Sequence, residues 1–276
     1  MKIAVLSGKG GTGKTTVSTS LAFISKLPLF DTDIEEPNSH IFFKNNILEE
    51  KSVYMNYPKV DMEKCNLCGE CGNFCRFNAV IPARNTVLIF EESCHDCGGC
   101  RIICKQKAIS WEKREIGKIF TGKTYFNSDT VCGKLNIGEM SGVRIIKEMY
   151  KNAEMKDFLI DCPPGTACTT VAAVEESDFA VVVTEPSPFG LSDMKLVIKL
   201  LRDMKIPFGV VINKAEENER EVKNYCISEN IEILGEIPFS RKIAENYSKG
   251  NIVSDILPEY KKVFENILEK VKNHGN

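Results

Sequence analysis

The chain has 276 residues, 43% of them hydrophobic and 27% charged, with 36 Lys+Arg set against 38 Asp+Glu. That length allows one large domain or two ordinary ones around a buried core, and the composition excludes disorder as the main state. A net charge of -2 gives no broad basic field, and no apolar run approaches the roughly 20 residues that span a bilayer, so neither nonspecific nucleic-acid binding nor stable membrane association is expected. The stretch Met1 to Ser7 has too short an apolar core for a secretion signal and runs straight into glycines, so a cytoplasmic protein opening on a strand is expected.

That first strand, 2 to 6, leads into Gly8-Lys9-Gly10-Gly11-Thr12-Gly13-Lys14-Thr15, which fits the pattern G-x-x-x-x-G-K-S/T and precedes a helix expected over 14 to 25. The glycines let backbone N–H groups turn toward phosphates, and the helix N-terminus adds a favourable dipole. Lys14 can reach the β- and γ-phosphates and Thr15 can hold Mg2+, with Thr16 beside it in the same turn. A second lysine, Lys9, gives the order Lys-Gly-Gly-Thr-Gly-Lys-Thr. This resembles the deviant Walker A motif of the MinD, Mrp and nitrogenase iron protein superfamily. The resemblance implies ATP and Mg2+ as cofactors, hydrolysis of ATP to ADP and phosphate, and a homodimer, at least with ATP bound. In that dimer Lys9 contacts nucleotide phosphate across the interface.

A short buried strand, 28 to 31, ends in Asp31-Thr32-Asp33, and strand-terminal carboxylates are where an α/β sheet presents its chemistry. In the superfamily this is the switch I position. The resemblance implies Asp33 as the residue that orients the attacking water, with Asp31 next to Lys14 and Mg2+.

Eight of the 12 cysteines then fall between 65 and 104. Cys65, Cys68, Cys71 and Cys75 follow the spacing C-x2-C-x2-C-x3-C, and Cys94, Cys97, Cys100 and Cys104 repeat it 29 residues later. Each quartet is followed at the same distance by a small-then-branched pair, Ala79-Val80 and Ala108-Ile109, so the segment is an internal duplication. Without a secretion signal, grouped cysteines bind metal or do redox work. Three cysteines at x2 spacing can wrap one cubane cluster while the x3 step carries the fourth away; zinc quartets usually split into two separated C-x2-C pairs. The spacing resembles that of two-cluster bacterial ferredoxins, in which the fourth Cys ligates the other cluster. It implies Cys65, Cys68, Cys71 and Cys104 on one 4Fe-4S cluster, and Cys94, Cys97, Cys100 and Cys75 on the other. The proline usual after the fourth Cys is replaced by Arg76 and Lys105.

Residues 118 to 138 read as a hairpin returning to the main domain, followed by a helix over 141 to 151 and a strand over 157 to 161. Asp161 and the following Cys162-Pro163-Pro164-Gly165-Thr166 are similar to Walker B and switch II, which implies that Asp161 holds the metal through water. Strand 179 to 184, helix 191 to 203, strand 208 to 213, helix 217 to 228, strand 231 to 236 and helix 258 to 272 complete the pattern. Asn213 and Pro238 stand where the superfamily contacts adenine through an amide and a backbone group. The alternation predicts an α/β fold with a parallel sheet covered by helices on both faces. The P-loop domain is expected over 1–56 and 118–276, with a small α+β ferredoxin domain inserted over 57–117.

Over essentially its whole length the chain is similar to MinD-superfamily P-loop ATPases that contain an inserted two-cluster ferredoxin domain. The expected function is an ATP-hydrolysing iron-sulfur protein in which nucleotide-dependent dimer closure gates electron transfer from two clusters to an unidentified partner protein. The alternative is an ATP-dependent carrier or scaffold for iron-sulfur or other metal clusters, against which stand eight thiolates that leave no labile position. A MinD-like positional regulator leaves the clusters unexplained. Of the remaining cysteines, Cys168 lies seven residues after Asp161, similar to the spacing of a cluster ligand in the nitrogenase iron protein; a bridging cluster there needs Cys132 or Cys162 as well, and the other reading is buried inert thiols. Tyr260, Val263, Phe264, Ile267, Leu268 and Val271 have helical spacing with mixed charge opposite, which predicts a packed helix rather than a membrane one.

Overall fold

A computed structural model describes residues 1–44, 46–151, 153, 155–216 and 220–274. In chain order its elements are β1 (Lys2–Leu6), α1 (Lys14–Ser25), β2 (Leu29–Asp31), α2 (Ser39–Phe43), β3 (Asn46–Val60), α3 (Glu70–Phe74), β4 (Val80–Pro82), β5 (Val87–Ile89), α4 (Gly99–Ile103), β6 (Ile109–Lys123) and β7 (Asp129–Leu135). There follow α5 (Val143–Lys151), β8 (Phe158–Asp161), α6 (Cys168–Val174), β9 (Phe179–Thr184), α7 (Pro188–Met204), β10 (Phe208–Ala215), α8 (Glu221–Ser228), β11 (Ile233–Pro238), α9 (Arg241–Ser248), α10 (Val253–Ile256) and α11 (Pro258–Asn273). The chain divides into two compact units, one of residues 1–51, 119–134 and 143–276, the other of 52–118 and 135–142.

The strands of the large sheet lie in the order β11-β10-β9-β1-β8-β2-β7-β6-β3, and the pairs from β11 through to β7 are parallel. Parallel strands need crossover connections, and the helices that supply them flank the sheet. Both faces of the central strands are buried. Ile3, Val5, Phe179, Val181 and Val183 pack in one cluster with Val17 and Leu21 of α1 and Phe264, Ile267 and Val271 of α11. The alternate residues Ala4, Leu6, Ala180 and Val182 are equally buried but lie outside that cluster, as the two-residue period of a strand requires when its other face is covered too. The expected packed role of α11 is thereby observed.

Two departures from the sequence-based expectation have identifiable causes. Helix α7 starts at Pro188, three residues before the expected 191, because Ser187 caps it by accepting the Gly190 N–H at 3.0 Å and proline is at home in a first helical turn. Strand β3, 15 residues long, was not anticipated: its charged, polar start hides the alternation. The start of the helix expected over 217 to 228 lies outside the described residues, and α8 begins at Glu221.

In the second unit the duplication reaches the backbone. Helices α3 and α4 occupy positions exactly one repeat apart, 29 residues, and so do the left-handed residues Leu67 and Asp96 (φ 59° and 54°), Gly69 and Gly98 (83° and 80°), and Asn78 and Lys107 (53° and 53°). Strands β4 and β5 form an antiparallel pair, Val80 opposite Ile89 and Pro82 opposite Val87. The small core is Val80, Val87, Cys100 and Ile109, with Cys65, Cys71, Cys75, Cys104 and Trp111 packed against it. Gly99 has to be glycine here, since a Cβ would lie 1.9 Å from the Phe74 ring.

Candidate functional site: a phosphate loop and two thiolate quartets

The loop between β1 and α1 turns on Gly11 and Gly13, both left-handed (φ 79° and 94°). Gly13 is the N-cap of α1 and brings no side-chain cap, and no acidic residue occupies the first turn. The first N–H groups of the helix are therefore offered to an external anion, which the helix dipole also favours. A Cβ on Gly13 would come within 2.0 Å of Asn213 Nδ2, which itself donates to the Thr12 carbonyl at 2.7 Å. Beside it, Lys214 Nζ donates to the Gly11 carbonyl at 3.0 Å and pairs with Glu185 at 2.8 Å. The ends of β9 and β10 thus hold the loop in shape.

Lys14 is 7% exposed; its Nζ donates to Asp161 Oδ1 at 2.9 Å and lies 3.5 Å from Asp33 Oδ2. Burial opposes the ammonium charge, but Asp161, then Asp33 and Asp31, outweigh it and raise the lysine above its ordinary value. Asp31 is pushed up to about 7 by burial and then by repulsion from Asp161, partly offset by the Ser39 N–H and Lys14. Its carboxylate accepts the N–H groups of Asn38 and Ser39 at 3.0 and 2.9 Å, so it fastens the segment that follows it. Asp33 is raised as well, by burial against the pull of Lys14. Asp161 Oδ2 and Thr12 Oγ1 are buried and unpartnered among the described residues, and the Asp161 oxygen, with the carboxylates of Asp31 and Asp33 near it, suits a contact to the water shell of a hydrated cation. A cavity of about 850 Å³ opens in front of these groups, its walls including Gly13, Lys14, Thr15, Thr16, Asp33, Asn213 and Pro238. That volume is in the range of small-molecule sites.

Eight of the 12 cysteines fall into two further cavities. One is lined by Cys65, Cys68, Cys71 and Cys104 together with Asn66, Leu67 and Gln106. The other is lined by Cys75, Cys94, Cys97 and Cys100 with Phe77, His95 and Trp111. Each quartet of consecutive cysteines is thus divided three and one. Burial raises the thiols of Cys71 and Cys94 and pushes Cys100 up to about 11. Thiols in such surroundings stay protonated near neutral pH unless a cationic centre takes the proton's place, and a donor set of four thiolates suits a cubane cluster. Among the described residues no three His, Cys, Asp or Glu side chains form a group able to hold a single metal ion.

Residues 3–253 match the model of the CobQ/CobB/MinD/ParA nucleotide binding domain. The chain belongs to that family. An uncharacterized protein of Methanocaldococcus jannaschii is 32% identical over 261 residues, 91% of this chain and 90% of that protein. The family similarity extends to proteins named iron-sulfur cluster carrier protein, one from Aquifex aeolicus (26% identical, covering 97% of this chain and 66% of that protein) and one from M. jannaschii (25%, covering 98% and 85%). Among solved structures the fold is similar to the cell division ATPase MinD of Pyrococcus furiosus, with a TM-score of 0.59 at 20% identity over 99% of this chain and 98% of that one. As in the rest of the family, this is a P-loop nucleotide-binding domain built on a mostly parallel sheet.

Lys9 Nζ lies 3.6 Å from Glu185 of the same chain. Glu185, Lys214, Phe239 and Tyr247 were not anticipated as site residues; of these, Glu185 and Lys214 had a readable signal, standing at the carboxyl ends of buried strands. Gly8 and Gly10 belong to the loop as expected from the motif. Cys168 is exposed, whereas Cys132 and Cys162 are buried. No helix among the described residues is long and apolar enough to cross a membrane.

Proposed function

We propose that the chain is an ATP-hydrolysing iron-sulfur protein in which the nucleotide state of a homodimer gates electron transfer from two 4Fe-4S clusters to a partner protein. The observation that carries this reading is the division of the eight cysteines into two cavities of four thiols in a chain that also has a P-loop. In this reading Cys65, Cys68, Cys71 and Cys104 hold one cluster, and Cys94, Cys97, Cys100 and Cys75 the other, within a ferredoxin-like module inserted into the P-loop domain. When bound, the clusters supply one-electron storage.

The P-loop N–H groups, Lys14 and Thr16 hold the phosphates, and Thr15 with Asp161 positions Mg2+, next to Asp31. Asp33 orients the attacking water. Lys9, released from Glu185, reaches the phosphates of the facing subunit, and Asn213 and Pro238 border the base. The segment 33–39 is fastened to Asp31 through the N–H groups of Asn38 and Ser39 and continues through α2 into β3, the strand along which the chain enters the second unit. That continuity gives nucleotide-dependent movement of the segment a physical route to the clusters.

A second reading, delivery of clusters, is favoured by the relatives named iron-sulfur cluster carrier proteins. Eight thiolates committed to two clusters weigh against it, because release requires an open ligand position. Dithionite-reduced protein mixed anaerobically with an oxidised one-electron acceptor and with a cluster-free apoferredoxin separates the two. Gating predicts that MgATP changes the oxidation rate several-fold with no iron passed on. Iron transfer to the apoferredoxin without a change in oxidation rate overturns it.

A further inference from the structure

The repeat of 29 residues makes the two thiolate sites comparable position by position, and their walls differ where the ligands do not. Asn66 on the first site corresponds to His95 on the second, Gln106 to Phe77, and Leu67 to Asp96. On the second site the Phe77 and His95 rings are stacked, with centroids 3.8 Å apart, and Trp111 adds a third ring. On the first site the same two positions carry side-chain amides. Asn66 Oδ1 accepts the Cys68 N–H at 3.3 Å, which leaves its NH2 group as a donor.

We propose that these walls give the two sites different reduction potentials, the amide-walled site of Cys65, Cys68, Cys71 and Cys104 being the one reduced first. This rests on both sites holding 4Fe-4S clusters. An added electron makes a site more negative, so side-chain amide donors near the sulfurs favour reduction more than the faces of aromatic rings do. The carboxylate of Asp96, on the segment between Cys94 and Cys97, is a negative charge held by the Asn56 side-chain amide at 3.0 and 3.2 Å; Leu67, its counterpart, carries none. Glu70 on the first site is exposed, so water and salt screen it. The buried Cys100, against its half-buried counterpart Cys71, points the same way. In the step proposed, one electron from an external one-electron reductant takes the first site's core from 2+ to 1+, and no atom or proton is transferred.

The test is an EPR-monitored redox titration of the full chain, loaded anaerobically, with dithionite as reductant. Two one-electron steps are expected, at least tenfold apart in equilibrium constant, which is 59 mV. The double variant Phe77→Gln, His95→Asn gives the second site the first site's wall and is expected to raise the lower step alone. The reverse pair, Asn66→His with Gln106→Phe, is expected to lower the upper step alone, and it decides the matter should the first variant fail to take up iron. A single unresolved step in the parent chain, or a wall exchange that moves the other site's step, overturns the proposal. A parent chain that takes up no iron contradicts the cluster reading itself, whereas full iron with one step contradicts only the inequality of the sites.

Discussion

Replacing Lys14 by Met removes the ammonium that faces Asp161 at 2.9 Å and Asp33 at 3.5 Å, with Asp31 close behind. Because Lys14 and Asp161 are only 7% and 1% exposed, solvent screening does little to soften the loss. Breaking a buried pair by deleting one partner costs about 3–5 kcal/mol. The cost depends on pH, with a definite sign. Asp31 and Asp33 already sit above their ordinary values through burial, and without the ammonium they rise further. A carboxyl group raised in the folded state contributes stability below its unfolded value, about 4, and that contribution is lost as pH climbs through the folded value. The gap between parent and variant therefore widens from pH 5 to pH 8. Urea unfolding of the nucleotide-free proteins at the two pH values measures it, and nucleotide affinity should fall by about 10- to 100-fold for the lost charged hydrogen bond. A gap that is absent, or equal at both pH values, refutes the electrostatic account of the site.

Lys9→Ala, which removes a lysine held only 3.6 Å from Glu185, should keep nucleotide binding by the single chain and lose turnover; retained hydrolysis sinks the role assigned across the dimer. Since Asp31 is pushed up to about 7 in the nucleotide-free site, binding of Mg-nucleotide should expel a proton near pH 6–7 and none at pH 9, because a nearby cation lowers the carboxylate again. Calorimetry in two buffers of different ionisation enthalpy reads this, and buffer-independent heats at pH 6.5 contradict it. Cys75→Ser should damage the cluster of Cys94, Cys97 and Cys100, and Cys104→Ser the other, as followed by EPR; damage on the same-quartet side instead overturns the exchanged ligand sets. Ser187→Ala, which deletes the cap of α7, should cost about 1 kcal/mol in urea unfolding, and an unchanged midpoint contradicts the cap.

The parallel sheet was legible because its strands are short, continuously apolar and punctuated by chemistry at their carboxyl ends: Leu6 before the loop, Asp31 and Asp161 before their switches. The phosphate loop and the duplicated cysteines were legible because each needs fixed residue types at fixed spacing. What escaped depends on contacts distant in sequence. Nothing local in Asn213 announces that its amide will hold Thr12, 201 positions away, nor that Glu185 will pair with both Lys9 and Lys214. The polar opening of β3 hides a strand whose partner is supplied by the sheet, and Ser187-Pro188 is a cap signal overshadowed by the apolar run after it.

The claim on which the rest stands is that two quartets of thiols, each divided three and one, hold iron-sulfur cubanes in a chain that also binds nucleotide. Anaerobic purification followed by iron, acid-labile sulfide and zinc analysis measures it directly. The account predicts about eight iron and eight sulfide per chain with a brown absorption that dithionite bleaches. A colourless protein carrying zinc and no sulfide would contradict it.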